Sequence, residues 1–320
     1  MKLIQLSSYF LLTIFSSCIN DDKINNANEK LSVQDELNSG PKEKQAIIVP
    51  GEKKKHLNIN ILLDLSDRID PKKNPKQPDQ KQRDISAIMV LCQAFKNNVN
   101  SFNAFKTQAK IKVFFHPEPY DTAIARIAND LNVLCKAGSY PEAAKYNKLL
   151  YQKIDSKFTN GLNKIYDLAT KSGQYPGSNI FRFMKDEIKN CVEDTNLFRN
   201  ILVIFTDGYV YDQNEKYHQR NRYSYIEKSY DHFSRFRKHG LMTVEFDKND
   251  YGFMKANDGL SSIEVLVLEL SPPKESPIDI DILKKYWNKW LNEMGVVKKS
   301  INPTGQPVYT EQYITNFLSN

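Results

Sequence analysis

Two apolar runs in this chain end in aspartate. Leu57-Asn58-Ile59-Asn60-Ile61-Leu62-Leu63 leads into Asp64-Leu65-Ser66, and Asn200-Ile201-Leu202-Val203-Ile204-Phe205 leads into Thr206-Asp207-Gly208. A carboxylate can act as a nucleophile, as a general acid or base, or as a ligand for a hard cation. Acid–base work needs a positioned His, Lys or second carboxylate beside it, and the sequence offers no catalytic dyad. It also lacks a Gly-x-Ser-x-Gly elbow and a phosphate-cradling Gly loop. The five histidines, His56, His116, His218, His232 and His239, are joined by no Cys or carboxylate set and read as surface residues. Residues 247–252 have calcium-loop composition, but Asp258 stands where the twelfth-position Glu belongs, so a turn is expected. A binding module, not an enzyme, is the expectation.

The elements around these residues alternate. Strands are expected at 57–64, 109–115, 200–207, 241–246 and 263–270. Helices are expected at 84–105, 180–192, 224–239 and 280–294, with a helical insertion over about 121–171. Such alternation implies an α/β fold: a doubly wound, mostly parallel sheet with helices on both faces. In that architecture ligands bind at the carboxyl ends of the strands, where both aspartates stand.

A net charge of +7 and a pI near 8.9 favour anionic partners without naming one. Residues 216–239 interleave Lys216, Arg220, Arg222, Lys228, Arg235, Arg237 and Lys238 with Tyr and Phe. Helical spacing of Tyr223, Tyr230 and Phe233 favours buried aromatics over a nucleic-acid surface, with an anionic ligand as the alternative. Cys92 reads as a small buried hydrophobe. A Cys135–Cys191 disulfide is compatible with an oxidising compartment.

The N-terminus has its own pattern. Lys2 precedes an apolar run from Leu3 to Phe15, closed by Ser16-Ser17-Cys18. This is the order of a secretion signal over residues 1–17, too short to span a bilayer. Residues 19–55 are polar and charged and read as a flexible tether ahead of one large domain at 56–320.

Two resemblances follow. Ser16-Ser17-Cys18 resembles the lipobox of bacterial lipoproteins, which implies lipid on Cys18, membrane anchoring and a place in the cell envelope. Phe15 departs from the Leu usual there. Asp21-Asp22 resembles an acidic surface-export signal. The domain resembles a von Willebrand factor type A (VWA) domain through Asp64-Leu65-Ser66-Asp67-Arg68, Pro176-Gly177-Ser178-Asn179 and Thr206-Asp207-Gly208. That family implies a metal-ion-dependent adhesion site. Here Asp64, Ser66, Ser178 and Asp207 would hold Mg²⁺ or Mn²⁺, with a position open to a protein ligand. Arg68 departs from the pattern, because it stands where the family has a ligating Ser and a guanidinium has no lone pair to give. Either it pairs with the carboxylates in place of the metal, or it points outward and water replaces it. The rival class is a hydrolase of phosphate esters resembling the haloacid dehalogenases, with Asp64 as nucleophile. Ser66 stands where that family needs its second Asp.

Overall fold

The first strand, β1 (His56–Leu63), is buried along its whole length. Leu57, Ile59 and Ile61 face one core. On the other face Asn58 and Asn60 are also buried, and both side-chain amides donate to the Cys191 carbonyl, at 2.9 and 3.2 Å. Those hydrogen bonds satisfy the buried donors of both asparagines, while Asn60 Oδ1 is buried without a partner.

The computed structural model describes residues 54–320, apart from 139, 174, 176–177, 213–214, 228–232, 238–241, 273–276 and 320. The signal, Cys18 and nearly all of the polar stretch at 19–55 lie outside the described residues, as do Pro176, Gly177, Lys228, Lys238, His232 and His239.

Beside β1 lie β2 (Lys110–Phe114), β3 (Val133–Leu134), β4 (Phe198–Phe205), β5 (Glu264–Leu270) and β6 (Lys299–Pro303). The six-stranded order is β3-β2-β1-β4-β5-β6. All neighbours are parallel except β2 and β3. Ile61 sits opposite Val113 on one side and Val203 on the other.

One face of the sheet carries α1 (Gln80–Lys106), α2 (Thr122–Asp130), α3 (Pro141–Ser172) and α5 (Pro307–Ser319). The opposite face packs against the helical segment 180–191 and α4 (Pro277–Glu293), with Tyr286, Trp287 and Trp290 fully buried. The sheet is therefore covered on both faces, as an α/β layer requires. No described helix is long and apolar enough to cross a membrane.

Several expectations change. Residues 121–171, expected as a helical insertion, hold α2 and α3 and between them β3, which pairs with β2. Of residues 241–246, expected as a strand, 242–246 belong to a short helix, Met242–Lys248. A strand would bury Val244 and Phe246 on one face, whereas Val244 is exposed and Phe246 buried. Residues 224–239, expected as a helix, form turns where they are described. The Ser224 and Ile226 amides donate outward to the Tyr217 and Val210 carbonyls instead of along a helix. The strand β6 and the helix α5 were not anticipated.

Cys92, Cys135 and Cys191 are all buried and unpaired. Cys135 belongs to the core on one face of the sheet and Cys191 to the core on the other, so the sheet separates them. Burial pushes both thiols up to about 11.

Candidate functional site

Leu63 and Phe205 are register partners at the carboxyl ends of β1 and β4. Asp64 and Asp207 leave those two strands side by side. The chain runs from β1 outward to β2, and from β4 outward to β5 on the other side. The two aspartates thus flank the point where the winding reverses, the usual ligand crevice of such a sheet.

Both are almost wholly buried, at 2% and 4% exposure. The Asp64 amide donates to the Phe205 carbonyl at 3.0 Å, which fixes the backbone. Its Oδ1 accepts from the Ser66 amide at 2.8 Å and its Oδ2 from the Thr206 hydroxyl at 2.9 Å. The Tyr209 amide donates to Asp207 Oδ1 at 3.1 Å. Burial raises the Asp64 carboxyl above its ordinary range, and the neighbouring charge of Asp207 raises it further. Arg68 and the Ser66 hydrogen bonds oppose this without reversing it. A buried carboxyl with a second carboxylate beside it is an arrangement that a cation would relieve.

The loop carrying Asp207 is held from behind. Trp287 Nε1 donates to the Gly208 carbonyl at 3.1 Å. Gly208 has φ +96°, and a Cβ there would meet Leu270 at 3.1 Å and Leu283 at 3.4 Å. Gly208→Ala should therefore destabilise the fold by about 2–4 kcal/mol, joining the left-handed backbone penalty to overpacking. A denaturant midpoint shifted by less than the equivalent of 1 kcal/mol would contradict this packing.

Ser178 is buried and pairs with Tyr211 in an isolated bridge, Tyr211 lying just past Asp207. The next amide, of Asn179, donates to the His116 carbonyl at 3.0 Å, just past β2. Ser178–Asn179 therefore joins the loops that follow β2 and β4, the two strands flanking β1. This puts Ser178 at the same end of the sheet as Asp64 and Asp207. Ser66, half-buried, begins the turn after β1.

Arg68 follows the first alternative only in part: it lies within ion-pair distance of Asp64 and pairs more closely with Asp84. It is 3% exposed, so it does not point to solvent. Its Nε donates to the Asp64 main-chain carbonyl at 2.8 Å, and its Nη2 donates to Asp84 Oδ2 at 2.6 Å. The Asp64 carboxylate is farther, at 3.9 Å. Burial disfavours the Arg68 cation, but Asp84, with Tyr166 and Asp64, more than restores it. Asp84 is itself fully buried and also accepts from the Tyr166 hydroxyl and, at 2.9 Å, from Gln80 Nε2.

Gln80 reaches on to Glu269, which Arg83 grips at 2.8 and 3.1 Å. Thr304 and Thr310 complete that carboxylate's shell, at 3.0 and 2.6 Å. Thr206, Asp84 and Tyr166 were missed as site residues. Thr206 stood within the third motif, while Asp84 and Tyr166 gave no signal beyond lying in helices.

The remaining candidates are spoken for. Asp250 of the calcium-like loop is gripped by Arg222 and Lys289, whose hydrogen bonds hold its carboxyl down at about 2. In the basic stretch Lys216 pairs with Glu227, Arg222 with Asp250 and Glu293, and Arg237 with Asp279. Phe233 and Phe236 are buried, while Tyr223, expected among the buried aromatics of a helix, is half-buried and Tyr230 lies outside the described residues. His116 lies 3.3 Å from Glu187. Among the described residues no group of three or more His, Cys, Asp or Glu is placed to hold a metal. The candidate set has two carboxylates and would be completed by hydroxyls. No protein-family model matches the chain, and no curated protein matches it.

Proposed function

We propose that residues 56–320 form a VWA-like binding module. In this reading Asp64, Ser66, Ser178 and Asp207 hold Mg²⁺ or Mn²⁺, and the cation keeps a position open to a protein ligand. The observation that carries it is the pair of buried carboxylates on adjacent parallel strands, at the crevice where the winding reverses. Carboxylate and hydroxyl oxygens suit a hard, octahedral cation. Arg68 makes its shorter ion pair with Asp84, at 2.6 Å against 3.9 Å to Asp64, so it competes with that ion only at the longer distance.

The cation supplies charge neutralisation and a coordination point. The chain's own residues supply position: Thr206 and the Ser66 amide orient Asp64, and the turn at Tyr209 orients Asp207. Mg²⁺ should raise the melting temperature of the full chain by mass action, and Asp64→Asn should remove that rise. A melting temperature indifferent to Mg²⁺ would count against the reading. Asp64-dependent hydrolysis of p-nitrophenyl phosphate would replace it with the phosphatase alternative.

The module is delivered to the bacterial cell envelope by lipid on Cys18, which follows an apolar run and two small residues. Cys18→Ala should move the protein from the membrane fraction to the soluble fraction. Unchanged partitioning with membranes would contradict the anchor.

A further inference from the structure

A second concave surface lies away from the candidate site, between the last turns of α1 and the first turns of α3. It encloses about 400 Å³, within the range of ligand pockets. Val99, Ala104, Ala144 and Tyr151 make its apolar floor. It opens where α1 breaks: Asn103 adopts φ 62° inside the helix, and its Oδ1 restarts the turn by accepting from the Phe105 and Lys106 amides at 3.0 and 3.1 Å.

The break is locked to α3 by Asn147. Its amide donates to the Ala104 and Lys136 carbonyls at 2.7 and 2.8 Å and accepts from the Lys136 amide at 2.9 Å.

The charge around the groove has one sign. Lys145 and Lys148 line it. Neither has a carboxylate within ion-pair distance among the described residues. Elsewhere on the same helices Lys81 and Lys96 reach Asp167 and Asp155, both at 2.6 Å.

Most polar groups inside the groove serve the fold, and Asn100 donates to the Tyr151 hydroxyl at 3.0 Å. Asn147 spends its amide on the fold, and Asn103 spends its oxygen on the restarted turn. A small molecule would find few groups to orient it. A flat bilayer surface would leave the floor uncovered. A peptide segment that puts apolar side chains into the cleft and acidic ones against the lysines satisfies both features.

We propose that this groove docks a short acidic, amphipathic segment of a partner protein. The test uses the full chain as bait for a phage-displayed library of random peptides. Selected peptides should be enriched in Asp and Glu around Leu or Phe. They should bind at least tenfold more weakly to Ala144→Trp, which fills the groove. The surface double variant Lys145→Glu/Lys148→Glu should weaken them equally without touching the core. Peptides lacking acidic residues, or indifferent to both variants, would overturn the proposal. It would also be overturned if Cys18→Ser protein, freed of lipid, selected no peptides yet bound phosphatidylglycerol vesicles through Lys145 and Lys148.

Discussion

Arg68→Ser should lower the unfolding free energy by about 3–5 kcal/mol at neutral pH, the cost of stripping one partner from a buried ion pair. Both members are inaccessible, Arg68 at 3% and Asp84 at 0% exposure, and they meet at 2.6 Å. Without the guanidinium, Asp84 keeps only the Tyr166 hydroxyl and the Gln80 amide as donors. Adding Asp84→Asn to the variant should return part of the loss, because the orphaned charge is then gone. The same substitution removes a cation 3.9 Å from the Asp64 carboxylate. Divalent binding should therefore tighten as stability falls. Denaturant unfolding of the two single variants and the double variant measures the coupling. Purely additive losses would mean that Arg68 and Asp84 do not act as a pair.

Arg83→Ala should cost a similar amount, about 3–5 kcal/mol, with the opposite pH behaviour from wild type. Glu269 is 2% exposed and sits at φ +72°, beside an irregularity in the pairing of β5 with β6. Burial alone would raise its carboxyl. The hydrogen bonds and charge of Arg83, helped by Thr310 and Gln80, outweigh burial and leave it below the ordinary value of 4.5.

In wild type the stability from Glu269 is therefore present above the unfolded value and lost as pH falls through the folded one. In Arg83→Ala burial should dominate and raise the folded value. The unpaired carboxylate then costs stability as pH rises, so the gap between variant and wild type should be wide at pH 7 and narrow near pH 4. A gap independent of pH would show that Arg83 contributes packing and not charge.

The central strands and their terminal aspartates were legible because β1 and β4 are continuous apolar runs that end abruptly in carboxylates. What the sequence concealed is the polar layer beneath them. Gln80, Arg83 and Asp84 occupy the first turn of α1, where polar residues ordinarily meet solvent. Here they are buried against Arg68 and Glu269, and their partners lie 16 and 186 positions away. No local pattern announces such pairs.

In the sequence, Asp64 and Asp207 are the carboxylates whose motifs bring them to Arg68, and Asp84 carries no such mark. The closest acidic partner of Arg68 could be found only once α1 was packed against the turn after β1. The strand β6 and helix α5 escaped notice because their buried signal is thin. It amounts to Ile301 and Asn302 in one, and Thr310, Ile314 and Phe317 in the other. Residues 242–248 show the converse error: an apolar spacing that suits a strand was taken up by a helix burying only Phe246 among its described side chains.

The claim that Asp64 and Asp207 jointly hold a divalent cation is tested most directly by titrating Mn²⁺ into the full chain, wild type and Asp207→Asn, and following free Mn²⁺ by its paramagnetic resonance. Asp207 is buried beside Asp64 and raises its carboxyl, so neutralising it should remove much of the attraction for a cation without adding bulk. Wild type should take up one Mn²⁺ per chain, displaceable by Mg²⁺, and Asp207→Asn should bind at least tenfold more weakly. A wild type that leaves Mn²⁺ free in solution, or an Asp207→Asn variant that binds it as tightly as wild type, would contradict the assignment.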